Sequence, residues 1–116
     1  KHIGRAVTYN TKANEAFEST VAGVAAAVFP EPLPGPVSVT VEAVFRPAAS
    51  WSKKRRAEAM GQPHTQKPDG DNILKAIKDG LNRIAWADDA QVADSRVTKR
   101  WGDRAQTRVT VERISQ

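Results

Sequence analysis

Cysteine is absent from the 116 residues. Disulfides, zinc–thiolate sites and a cysteine nucleophile are thereby excluded, and a reducing compartment is permitted. Long apolar runs are missing too. None approaches the roughly 20 residues that span a bilayer, so no membrane segment is expected. No stretch has the make-up of a secretory signal. The sequence opens on Lys1 rather than Met, which leaves room for a segment upstream. Histidine is scarce: no second histidine stands at ligand spacing from His64. With Gly61 and Pro63 beside it, His64 reads as a surface loop residue. There are no internal repeats.

The length fits one domain, residues 1–116, able to bury about two thirds of its unfolded surface. The net charge of +5 is unevenly spread. Residues 46–67 hold six basic side chains against Glu58, and residues 95–116 hold six against two acidic ones. Between them, residues 68–94 hold six acidic side chains against three basic ones. An acidic island between basic flanks suits a metal site within a polyanion-binding surface.

Periodicity gives the elements. Arg5 to Tyr9 reads as a short strand. Thr11 is a plausible N-cap. Ala13, Phe17, Thr20, Val21, Val24 and Val28 then recur at helical spacing. Pro30, Pro32, Pro34 and Pro36 form an extended connector. Val37 to Phe45 alternates valine with polar residues, the clearest strand. Residues 48–66 have little core-building pattern, with a short helix possible up to Met60, and read as a basic, mobile segment. A helix follows over Asp69–Arg83. Gln91 to Trp101 and Thr107 to Ile114 read as two strands of a hairpin turning at Gly102-Asp103. The order implies an α+β fold: a single mixed β-sheet with two main helices packed on it.

The chemistry concentrates at Lys67-Pro68-Asp69-Gly70-Asp71-Asn72-Ile73-Leu74-Lys75. Asp71 or Asn72 is the expected N-cap. Ile73, Leu74, Ile77, Leu81 and Ile84 form one apolar arc, with Asp71, Lys75, Lys78 and Asn82 opposite. Asp71 and Lys75, four apart, share a face. Two readings stay open from these residues. One is an acidic helix start, favoured by the helix dipole by about 0.3–1 kcal/mol. The other is a magnesium site, with carboxylates for the ion and a lysine for a phosphate. An EF-hand loop is excluded by position: its glycine would fall at Leu74 and its bidentate glutamate at Gly80.

That stretch, with Asp79-Gly80-Leu81-Asn82 and Asp88-Asp89-Ala90-Gln91-Val92, resembles the RusA family. Its members are Holliday junction resolvases, small dimeric endodeoxyribonucleases often carried by phages and prophages. The likeness runs over most of the chain. It implies that Asp69, Asp71 and Asp89 hold Mg²⁺, with Mn²⁺ as a substitute, and that Lys75 is essential. Asp88 lies beside the site, and Asn72 caps or contacts DNA. It also implies a further strand, with prolines, ahead of Lys1.

The expected activity is Mg²⁺-dependent resolution of four-way DNA junctions by paired symmetrical nicks, in recombination and repair. The place of work is the cytoplasm of a bacterial or phage-infected cell. Lys53, Lys54, Arg55, Arg56, Lys67, Asn72, Arg96, Lys99 and Arg100 are the expected DNA contacts. Trp51 either stacks on a base at the branch point or folds back on the body. A two-fold substrate calls for a homodimer, and Phe29, Trp86 and Trp101 are expected as exposed apolar candidates for its interface. The alternative is a non-catalytic DNA-binding protein of the same fold.

Overall fold

A computed structural model describes residues 4–9 and 17–114. The expected cap at Thr11 and the helical position Ala13 lie outside the described residues. The order is β1 (Gly4–Tyr9), α1 (Phe17–Val28), β2 (Val37–Phe45), α2 (Lys53–Ala59), α3 (Gly70–Leu81), a short 3-10 turn (Asp89–Gln91), β3 (Val92–Trp101) and β4 (Gln106–Arg113). The strands form one mixed sheet in the order β1-β4-β2-β3. Only the β2–β3 pair is parallel. The α+β class expected from the sequence is the one found.

Burial decides which strand is central. In β2, Val37, Val39, Val41, Ala43 and Val44 are all buried. Val39 and Val41 stand opposite Val111 and Val109 of β4. Each such side chain withdrawn from water contributes about 1.5–3 kcal/mol. The two helices close the core. From α1 come Val21 and Ala25, followed by Phe29, and from α3 come Ile73, Ile77 and Leu81.

The hairpin expected of β3 and β4 does not form, because β2 lies between them. The cause is the polarity of β3. Residues 93–96 are exposed, and only Trp101 is buried. A strand with so little to bury belongs at an edge, so the centre goes to the valine-rich β2. Residues 102–105 therefore cross over the end of β2. The crossing is tight. The Gly102 amide donates to the Phe45 carbonyl at 2.9 Å. A Cβ at Gly102 would stand 2.5 Å from Val44 Cγ1.

Phe29, Trp86 and Trp101 were expected at the surface and are buried, at 4%, 0% and 9% exposure. Each fills the core or the aromatic cluster beside α2 and cannot serve an interface. Among the described residues, Met60 is the one exposed large apolar side chain. No described helix is long and apolar enough to cross a membrane.

After α3 the chain turns on Asn82 and Arg83, and the Ile84 amide donates to the Leu81 carbonyl at 3.0 Å. Arg83 adopts φ +70°, at a turn position that favours glycine. The turn delivers Trp86 to the core, where it bridges to Leu33 of the proline-rich connector. The connector is thus bound to the turn that follows α3.

Val44 is stiff at χ1 and cannot swing away from a new methyl at residue 102. Gly102→Ala is expected to destabilise the fold by about 1–3 kcal/mol, the usual cost of overpacking. Chemical denaturation checks this. Pairing it with Val44→Ala should recover part of the loss, and strictly additive effects would mean that the contact is not the cause.

Candidate active site

Gly70 explains how two aspartates come to flank a helix start. Its Cα faces β3 so closely that a Cβ would meet Val97 Cγ1 at 3.3 Å. With Gly70 against the sheet, Asp69 and Asp71 on either side are left exposed. The N-cap is Asp69, not Asp71 or Asn72, because the helix begins where Gly70 touches the sheet. The Asp69 carbonyl accepts from the Ile73 amide at 3.1 Å. Its carboxylate makes no capping hydrogen bond, so the helix leaves it unused.

Asp89 arrives from a different segment. Residues 88–91 form a 3-10 turn that divides its side chains by task. Asp88 Oδ1 accepts from the Ala90 amide at 2.9 Å and caps the turn. Gln91 Oε1 accepts from the amides of Ala87 at 2.8 Å and Asp88 at 3.1 Å. Gln91 Nε2 donates to the carbonyls of Leu33 at 3.0 Å and Gly35 at 2.8 Å. The turn is thereby latched to the connector. Asp89 Oδ1 accepts from the buried Trp86 indole Nε1–H at 2.8 Å. A bond to a charged acceptor contributes about 1.5–3 kcal/mol. Trp86, expected at an interface, and Gln91, a motif residue without an assigned role, are the two that sequence reading did not place in support of the site. A tryptophan three residues before an aspartate was the available signal, since a buried indole N–H needs a nearby acceptor.

Asp71, Lys75 and Asp89 line one pocket of about 220 Å³, together with Leu74, Lys78 and Asp79. Lys75 Nζ lies 2.9 Å from Asp79 Oδ2, one helical turn on. That pair is exposed, so its attraction is weak and easily exchanged. Asp69 is not among the pocket's lining residues. Among the described residues, no three His, Asp or Glu side chains stand close enough together to hold one ion. The donors that do meet are nevertheless of the right kind for Mg²⁺. They are carboxylate oxygens, and the ion needs only one or two of them besides water and substrate.

The expected DNA contacts fall in several places. Lys67 is exposed ahead of the pocket's helix, and Asn72 is exposed in its first turn. Val97 faces α3, so by strand alternation Arg96 and Arg100 project from the other face of β3. Lys99 is occupied: its Nζ donates to the Gln66 carbonyl at 2.6 Å and holds the segment that leads into Asp69. Lys53, Lys54, Arg55 and Arg56 lie on α2, capped by Ser52, whose Oγ accepts from the Arg55 amide at 3.1 Å. Cations in a first helical turn oppose the dipole. Lys53 and Lys54 are there against local preference.

An aromatic chain ties this segment down. Arg55 lies over the Trp51 ring at 3.6 Å, and Trp51 packs on Trp101 at 5.0 Å. Trp51 is thus folded back on the body. His64, expected in a surface loop, is instead 6% exposed. Its ring stacks on Phe45 at 3.8 Å and meets Trp101 at 4.4 Å. The reason is backbone pairing: residues 61–64 bond along the free edge of β3, through Gly61 to Trp101, Trp101 to Gln62, and His64 to Lys99.

A family model described as endodeoxyribonuclease RusA matches residues 1–112. The chain is also 38% identical over 105 residues to a Bacillus subtilis (strain 168) protein described as uncharacterized protein YqaN. That match covers 85% of this chain and 73% of the other.

The packing of His64 carries a pH dependence of its own. Burial first, and then the nearby Lys99 charge, hold its pKa below the usual 6.5. The folded pKa is lowered, so the unfolded chain takes up the proton first. His64's contribution to stability is whole above pH about 6.5 and is lost as pH falls from there through the folded pKa. His64→Phe should flatten stability measured between pH about 7 and 5, relative to the parental chain. Parallel curves for the two proteins would contradict this.

Proposed function

This chain belongs to the RusA endodeoxyribonuclease family, and from that premise we propose that it is a Mg²⁺-dependent nuclease that resolves four-way DNA junctions. On this reading it acts as a C2 homodimer, introduces paired symmetrical nicks, and serves recombination and repair in the cytoplasm of a bacterial or phage-infected cell. The observation that carries the proposal is the meeting of Asp71, Lys75 and Asp89 in one pocket. The chain brings them together from two segments through the Trp86 indole and the Gln91 latch.

Each side chain has a task in that reaction. Asp71 and Asp89 would hold the ion; Asp69 lies outside their pocket, and its carboxylate, on which the helix makes no claim, would have to turn toward the ion to join them. When bound there, Mg²⁺ would supply an activated water and neutralise charge on the phosphate. Trp86 fixes the direction of Asp89, because one carboxylate oxygen is taken by the indole N–H. Among the described residues the other oxygen has no hydrogen bond. Lys75 exchanges its exposed contact with Asp79 for a non-bridging phosphate oxygen and stabilises the charge that builds there. Lys67 and Asn72 position the backbone near the pocket, which sets register but reads little sequence. Selectivity for the branched form rests on the dimer. Two pockets related by a two-fold axis match the symmetry of the junction, and one pocket per chain supplies one cut.

Asp71→Asn and Asp89→Asn test this cleanly. Asparagine keeps the volume, and at residue 89 it keeps an oxygen for Trp86. A labelled junction with Mg²⁺ should be nicked at least ~10²-fold more slowly by either variant, with junction binding retained. Mixed dimers of parental and Asp71→Asn chains should nick one strand and resolve poorly. Cutting at the parental rate by either variant would remove that residue from the site. A parental protein that shifts the junction without nicking it would favour the non-catalytic DNA-binding alternative.

A further inference from the structure

A second pocket lies at the far end of β3 from the acidic one. It encloses about 300 Å³ and is lined by Arg46, Pro47, Lys53, Arg56, Ala57, Met60 and Asp103. Arg46 follows β2, Lys53 and Arg56 come from α2, and Asp103 follows β3. Three cations from two parts of the chain therefore meet one carboxylate, which leaves an excess of positive charge. Among the described residues none of the three forms an ion pair. The Nε–H of Arg56 is sealed from solvent and has no hydrogen-bond partner among them. The remaining wall, Pro47, Ala57 and Met60, is apolar.

We infer that this pocket binds the backbone of a DNA arm, with a phosphodiester on Arg46, Lys53 and Arg56 and the adjoining sugar against Pro47, Ala57 and Met60. The chemistry is specific on two counts. A phosphate offers several acceptor oxygens to the three cations that line one pocket, and guanidinium groups match it in geometry. A bare anion would leave the apolar wall unused, whereas a deoxyribose covers it. Lys54 and Arg55 have different places: Arg55 is spent on the Trp51 ring, and neither lines the pocket.

The fold sets the distance between this contact and the acidic site. Asp89 stands just before β3 and Asp103 just after it. Ten extended residues rise about 30 Å. Asp71, in the same acidic pocket, adjoins Gly70 at Val97, six residues before Asp103, which is about 20 Å. Duplex DNA rises about 3.4 Å per base pair, so the two pockets are roughly six to nine base pairs apart. The pocket thus grips an arm more than half a turn from the place of cutting. The spacing rests on the reading of the acidic pocket as the cutting site, while the contact itself does not.

The test is binding, measured without divalent ions so that cleavage plays no part. Junctions with arms of about 20 base pairs reach the pocket, and those with arms of about 5 do not. Replacing Arg46, Lys53 and Arg56 together by Gln should weaken long-arm binding and lower its salt slope by about 0.9 for each phosphate released. Short-arm binding should be unchanged. Asp103→Asn, an exposed substitution that removes the opposing charge, should strengthen long-arm binding alone. Equal effects at both arm lengths, or none at either, would overturn the inference. A protein that shows the arm-length effect but leaves junctions uncut with Mg²⁺ would keep this contact and lose the proposed activity.

Discussion

A buried tryptophan must place its N–H somewhere, and in this chain that requirement aims the site. Trp86 is wholly enclosed, locked between the turn after α3 and the proline-rich connector. Leaving its indole N–H unmet would cost about 1–3 kcal/mol. The acceptor within reach is Asp89. The packing that stabilises the core thus also selects the orientation of a carboxylate in the pocket. Asp89 is held by the interior of the protein from beneath rather than by its neighbours at the surface.

The same economy runs through residues 86–92. One aspartate caps the turn, the other faces the pocket, and Gln91 fastens the turn to the connector with two hydrogen bonds on each side. Gly70 does the corresponding work on α3, where contact with Val97 leaves its two flanking aspartates on the outside. The two halves of the site are rigid for different reasons, one by hydrogen bonding and one by close packing. Lys75, by contrast, is 76% exposed, which suits a group that must change partners. On the proposed reading the carboxylates serve the cation and the adaptable lysine serves the phosphate.

Much of this was legible in the residues. The valine alternation of β2, the apolar arc of α3 and the shared face of Asp71 and Lys75 follow from period alone. What could not be read was arrangement beyond the single element. Strands β3 and β4 are consecutive and joined by four residues, so a hairpin was the natural expectation. Competition for the sheet centre overrode it, and that depends on comparing three strands at once. The N-cap shifted to Asp69 because a tertiary contact at Gly70, not local capping chemistry, starts the helix. His64 looked exposed because its neighbours are loop formers, yet pairing with the edge of β3 carries it under Phe45 and Trp101. Phe29, Trp86 and Trp101 looked available for an interface because composition says nothing about which apolar groups the core will claim.

The central claim is that Asp89, aimed by Trp86, shares a cation with Asp71. The proton on Trp86 Nε1 reports this directly, since it is bonded to the carboxylate in question. Its NMR resonance should shift as Mg²⁺ is added to the parental protein, and the shift should weaken or vanish in Asp71→Asn. An indole resonance that ignores Mg²⁺, or that moves equally in the variant, would contradict the account.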